Sequence, residues 1–129
     1  MQVLYQSSLE SPSNKGLGII PSPIERFSNS DKAVPHMGWN SVHILDSADK
    51  SDEGMDSASH YYFVHSYRAT YDPTFYPEAA EWAHGVTQYG SEMIVASVRK
   101  DNVFGTQFHP EKSQRLGLQL IANFLEWKP

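Results

Sequence analysis

The second half of this chain constrains its fold most: a succession of strand candidates closed by one amphipathic helix. Residues 61–65, Tyr-Tyr-Phe-Val-His, have the aromatic and β-branched make-up of a strand. Residues 92–98 and 103–108 read as two more, separated by Arg99-Lys100-Asp101-Asn102, a polar turn of hairpin length. Residues 82–89 form a weaker strand, and 70–81 an excursion containing Pro and aromatic residues. Over 113–127 the apolar residues Leu116, Leu120, Ile121, Phe124 and Leu125 recur at helical spacing, broadened by Leu118 and Trp127, with Ser113 as N-cap. Such a helix packs its stripe on a sheet face.

The first half is less regular. Residues 1–9 read as the end of a helix with no capping residue before it. A turn follows over 11–15 with Gly16 and Gly18, then a short strand over 17–20 that Pro21 and Pro23 break. VPHMGWN at 34–40 reads as a loop and 42–45 as a strand, while the Ser- and Asp-rich stretch 46–59 reads as a mobile loop. The expectation is one α/β unit over 1–129, a mixed sheet of largely antiparallel strands with helices at both ends.

Composition removes several classes of function. Hydrophobic residues are 40% and charged residues 19%, a globular balance. No apolar run approaches the ~20 residues of a membrane helix, and no basic segment followed by an apolar core marks a signal peptide. The formal charge of −5 has the wrong sign for a nucleic-acid partner. There is no cysteine, which excludes disulfides, cysteine-based zinc sites and a cysteine nucleophile within these residues, and favours an intracellular chain. The histidines show no metal-ligand spacing, so neither a metal nor another cofactor is expected.

Three segments could carry chemistry. In Gln107-Phe108-His109-Pro110-Glu111, at a strand end, Pro110 biases His109 toward an extended backbone. Residues i and i+2 of an extended segment share a side, so the Glu111 carboxylate can accept from His109 Nδ1 and leave Nε2 as a proton acceptor. That is two thirds of a nucleophile–His–acid triad, or else a turn with a surface ion pair. His65-Ser66-Tyr67 ends a strand where α/β folds place binding groups; Ser66 and Tyr67 could contact a polar ligand, with His65 a satisfied core residue. No Gly-x-Ser-x-Gly elbow exists to activate Ser66. Trp39, beside Gly38 and Met37, either offers an aromatic anchor to a partner or folds back into the core.

VPHMGWN at 34–40, YYFVHSYRA at 61–69, QYGSEMIVASV at 88–98, GTQFHPEKSQRLG at 105–117 and ANFL at 122–125, in this order, resemble the class I glutamine amidotransferases. PHMGWN and the Lys-Ser after FHPE are similar to the glutaminase branch that serves imidazole glycerol phosphate synthase in histidine biosynthesis. The resemblance implies a flavodoxin-like α/β sheet flanked by helices, here incomplete on its N-terminal side, and a Cys-His-Glu triad. In that triad a thiolate attacks the side-chain amide of glutamine, and the ammonia released passes to a (β/α)8 cyclase. It further implies that His109 is the triad base and Glu111 its orienter, that Gln2, Ser66 and Tyr67 hold glutamine, and that Trp39 lies against the cyclase. The family's nucleophile sits in a Gly-x-Cys-x-Gly-Met-Gln elbow, of which only Met1-Gln2 match, so a fragment without activity of its own is expected. A cysteine-less module that binds a cyclase-type partner, or a piece of another class I amidotransferase, is the alternative. The expected setting is cytoplasmic, or plastid in a plant.

Overall fold

The computed structural model describes residues 1–45 and 59–128. Most of the stretch expected to be a mobile loop, 46–58, lies outside the described residues. The strands are β1 (Tyr5–Ser8), β2 (Ile20–Arg26), β3 (His36–Ser41), β4 (His43–Ile44), β5 (His60–His65), β6 (Tyr67–Arg68), β7 (Ala83–Tyr89), β8 (Glu92–Lys100) and β9 (Val103–Thr106). The helices are α1 (Pro77–Ala80) and α2 (Gln114–Glu126), with single 3-10 turns at Gln2–Leu4 and Pro110–Lys112. β4, β7, β8 and β9 form an antiparallel sheet in that order, β3 pairs antiparallel with β5, and β2 lies parallel to β1 and antiparallel to β6.

β8 is the centre of the molecule. Its residues Ile94, Val95, Ala96, Ser97 and Val98 are all buried, as expected of a strand covered on both faces. Val95 and Val98 join Tyr5, Ile20, Ile24, Ala69 and Ala79 in one core cluster. Ala96 joins Val42, Tyr61, Phe63, Phe108 and Leu120 in the other. The hairpin to β9 is tighter than expected. Lys100 pairs with Val103, leaving a two-residue turn in which Asp101 adopts φ 53°, a conformation Asp tolerates better than most residues.

Four expectations need correction. The N-terminal stretch is not a helix through Leu9: after one 3-10 turn it becomes β1, because Tyr5 gains both burial at 1% exposure and a parallel pairing with Ile20. Gly16 and Gly18 close the following turn over that strand; Gly18 N–H donates to Tyr5 O, and a Cβ on Gly16 would sit 1.9 Å from the same oxygen. Second, Pro21 and Pro23 do not break a strand, since β2 runs through both. Ile20, Ser22 and Ile24 form the buried row, and β6 joins on the other side only at Glu25 and Arg26, so the missing N–H groups cost no ladder bond.

Third, HMGWNS is β3 rather than a loop, paired from His36↔His65 to Ser41↔His60. Gly38 sits at φ 124° within it, where a side chain would be strained. Fourth, the apolar stripe of α2 is only partly used. Leu120 is buried, but Leu118, Phe124 and Leu125 are exposed. Leu116 and Leu120 pack on the sheet as expected, and on the Gly117 side, where a Cβ would fall 1.8 Å from Pro110 O, the helix is also drawn against its own preceding turn.

The segment between β2 and β3 is tied down by charge. Lys32, its side chain 5% exposed, bonds Asp31 at 2.9 Å and Glu92. Arg68 reaches the same Glu92 carboxylate with Nη2 at 2.6 Å and Nε at 3.0 Å. Burial works against the charge on Glu92, but the hydrogen bonds from Lys32 and Arg68 outweigh it and hold the carboxyl below its usual range.

Candidate active site

His109 sits where the chain leaves β9 and turns into α2. Its backbone is extended, at φ −96° and ψ 100°, and its N–H donates to Tyr62 O at 2.9 Å, so the turn is stitched to β5. Its Nδ1 lies 2.9 Å from Glu111 Oε1. The pairing is the one expected from sequence, but the route differs: Pro110–Lys112 is a 3-10 turn, and the curl rather than an extended i/i+2 relation brings the carboxylate round. Glu111 is held below the usual carboxylate range first by its own backbone N–H and then by the imidazole, with burial opposing. Because Nδ1 faces a carboxylate, it carries the proton, and Nε2 is the nitrogen left to accept one.

Ser113 fixes that turn from below. It occupies the N-cap position of α2 but makes no capping bond with its side chain. Instead the hydroxyl accepts Tyr62 N–H at 2.9 Å and donates to His109 O at 2.7 Å, at 2% exposure. The sequence predicts a purely local capping role for Ser113; in the fold its hydroxyl joins the nearby His109 carbonyl to Tyr62 of β5, 51 residues away.

Gln2, Tyr67 and the His109 segment meet. Gln2 Nε2 donates to Tyr67 O at 2.9 Å and to Gln107 Oε1 at 2.7 Å, two residues before His109. Ser66 O accepts Phe27 N–H at 3.0 Å, anchoring the β5–β6 corner. Beside Gln2 lies a cavity of about 250 Å³ lined by Ser7, Ser8, Glu10, Asn14 and Lys15. Glu10 and Lys15 were not singled out from sequence; the only signal was two opposite charges flanking a Ser-rich turn.

Trp39 stands apart from the core. On β3 the side chains alternate: His36 is buried, while Met37 and Trp39 are 62% and 47% exposed. Trp39 touches the edge of Tyr62, with ring centroids 5.8 Å apart, and Lys112 Nζ lies 6.0 Å from the Tyr62 centroid. The exposed face of β3 and the His109 turn are therefore neighbours through Tyr62, whose own backbone holds His109.

On the opposite face of β3 and β5 a line of polar groups runs inward. His65 Nδ1 is 2.8 Å from Tyr67 O, His65 Nε2 is 3.0 Å from His36 Nδ1, and His36 Nε2 is 3.3 Å from Asn40 Nδ2. Burial, with mutual repulsion second for His36, pushes that residue down to about 4. Burial likewise pushes His65 down to about 4, with the Tyr67 carbonyl opposing and His109 contributing. Both rings are neutral near pH 7. Among the described residues, no group of three His, Asp or Glu is arranged to hold a metal ion.

The sequence model of glutamine amidotransferase class-I matches residues 2–127. The chain belongs to that family. As a class-I glutamine amidotransferase chain it is 42% identical over 125 residues to imidazole glycerol phosphate synthase hisHF of Schizosaccharomyces pombe, covering 97% of this chain and 23% of that protein. It is 44% identical over 126 residues to imidazole glycerol phosphate synthase subunit HisH of Methanocaldococcus jannaschii, covering 98% of this chain and 59% of the subunit. The chain thus spans less than two thirds of the curated relatives it matches. Among solved structures, the glutaminase domain of Trypanosoma brucei CTPS with bound acivicin aligns with a TM-score of 0.61 at 16% identity, over 96% of this chain and 52% of that one. At that identity the likeness is one of fold: a mixed α/β amidotransferase architecture.

Proposed function

We propose that this chain forms the His-Glu side of a glutaminase that serves imidazole glycerol phosphate synthase, supplying ammonia to a (β/α)8 cyclase in histidine biosynthesis. The observation that carries this reading is the His109 Nδ1–Glu111 contact at 2.9 Å, which fixes the imidazole tautomer at a strand end. His109 Nε2 takes the proton of a cysteine thiol and returns it to the leaving ammonia; Glu111 orients the ring and stabilises the imidazolium. The chain contains no cysteine, so the thiolate comes from outside these 129 residues. Glutamine is held beside Gln2, Ser66 and Tyr67, and the opposite charges of Glu10 and Lys15 at the neighbouring cavity complement the ammonium and carboxylate of an α-amino acid. Trp39 and Met37 supply the apolar anchor of the cyclase-facing surface. The pathway assignment carries with it a cytoplasmic setting, or a plastid one in a plant.

The test is His109→Ala in the assembled synthase that carries this chain with its nucleophile and cyclase. Glutamine-dependent synthesis should fall by about 10²–10⁴-fold, while synthesis from added ammonium should persist, because the cyclase needs only ammonia. Loss of both activities would assign His109 to the fold or the interface instead. The 129-residue chain alone should release no glutamate from glutamine, and release at an enzymatic rate would overturn the assignment of an external nucleophile. The missing thiol also favours a second reading, a non-catalytic module that binds a cyclase-type partner. That reading predicts tight cyclase binding with no glutamine dependence in any complex containing the native chain.

A further inference from the structure

The line from Asn40 to Tyr67 has its proton positions fixed from both ends. At one end Tyr67 O is a carbonyl and can only accept, so His65 Nδ1 carries the hydrogen and its neutral Nε2 accepts. The atom facing that Nε2 is His36 Nδ1, which must then donate, leaving His36 Nε2 as an acceptor. At the other end Asn40 Oδ1 accepts Ser41 N–H at 2.9 Å, and Asn40 Nδ2 donates to Gln88 O at 2.9 Å. The second hydrogen of that Nδ2 is the one facing His36 Nε2. The two ends, reasoned separately, give the same pair of tautomers. In a free neutral histidine side chain the Nε2–H form is the more common, so two adjacent Nδ1–H histidines are an imposed state.

The rings are also held in place. His36 is stacked between Phe63 and Tyr89, with centroids at 4.6 and 4.0 Å and interplanar angles of 18° and 20°. His65 lies 5.2 Å from Phe27 and 5.7 Å from Phe63. A ring flip would break hydrogen bonds inside a packed aromatic box. The line does not stop at Tyr67 O, because the same oxygen accepts the Gln2 amide, which in turn holds Gln107.

We propose that His36 and His65 are positioning residues: a fixed-tautomer pair that transmits the placement of the Trp39 strand to the Tyr67 carbonyl and through it to the Gln2 amide beside the glutamine site. This rests on the reading above in which Gln2 and Tyr67 hold glutamine. A pair that only fills the core would satisfy its own polarity locally. A transmitting pair couples Asn40, on the strand of the exposed Trp39, to Gln2 in the N-terminal 3-10 turn.

The experiment is NMR on the full 129-residue chain at pH 7, with imidazole nitrogens and side-chain amides labelled. Both His36 and His65 should show protonated Nδ1 and unprotonated Nε2. Asn40→Ala should shift the Gln2 side-chain amide signal while leaving that of Gln119 on α2 in place. His65→Gln, whose carbonyl oxygen can replace Nε2 toward His36 but which has no N–H at the Nδ1 position facing Tyr67 O, should shift the same Gln2 signal. An Nε2–H tautomer at either histidine overturns the proposal, and that measurement needs no variant to fold. An unmoved Gln2 signal in folded Asn40→Ala and His65→Gln chains overturns it equally. Titration with glutamine separates the two claims. If the tautomers and the coupling hold but glutamine leaves Gln2 and Tyr67 unmoved, the substrate reading falls and the coupling stands; if glutamine moves them but the coupling is missing, the positioning role falls alone.

Discussion

His109 and Ser113 are four residues apart, and each depends on the other for its place. Removing the Ser113 hydroxyl leaves the Tyr62 N–H and the His109 carbonyl without their shared partner. Ser113→Ala should therefore cost about 1–3 kcal/mol, read from the shift of a urea unfolding midpoint. Gly117→Ala should cost about 2–3 kcal/mol by the same measurement, since the added methyl falls on Pro110 O and the turn must move. In the assembled synthase Glu111→Gln should lower glutamine-dependent turnover less than His109→Ala, because it alters the orientation of the base and not the base itself. Equal losses would mean that the carboxylate acts directly on substrate. The His109–Glu111 pair was legible in the sequence because Pro110 narrows the backbone choices around it. The bond from Tyr62 N–H to Ser113 was not, because Tyr62 belongs to β5.

At the scale of the element, β3 carries two different surfaces on one strand. Among the described aromatic rings Trp39 meets the edge of Tyr62, and it is half exposed, so Trp39→Ala should change stability by no more than about 0.5 kcal/mol, the usual range for a surface site. The same change should weaken binding to the cyclase by tenfold or more, on the order of 1.4 kcal/mol, measured by titration calorimetry. Phe63→Ala, on the partner strand and fully buried, should instead cost about 3–5 kcal/mol. Unfolding by Trp39→Ala would make that residue core and remove the interface assignment. From sequence this segment reads as a loop because Gly38 stands between Met37 and Trp39. The strand forms because β5, paired with it at separations of 19 to 29 residues, offers it a six-residue ladder.

Over the whole molecule, the buried His36 and the partly buried His65 set an acid limb. Each has its pKa pushed from 6.5 to about 4 in the folded chain, so the unfolded chain binds more protons between those values. Their contribution to stability is complete above about pH 6.5, declines as pH falls, and is lost once pH passes through about 4. Each proton contributes a slope of at most about 1.4 kcal/mol per pH unit within that window. Urea midpoints measured between pH 7 and pH 4 should fall accordingly, and a folded chain with both His36 and His65 replaced by Gln should show a flatter profile. An unchanged slope in that double variant would assign the acid sensitivity elsewhere.

By itself the sequence determined the α/β class, the strands over 61–108, the closing helix and the pairing of His109 with Glu111. Those depend on local composition, on side-chain periodicity and on one proline, all of which act over a few residues. Only the tertiary structure decided that the N-terminal stretch becomes β1, that β2 passes through two prolines, and that α2 leaves Phe124 and Leu125 exposed. It also decided that two distant histidines share one hydrogen bond. Each of these is settled by which strand edge or ring happens to lie opposite, and the free energy of a ladder bond or a buried ring is realised only when that distant partner arrives.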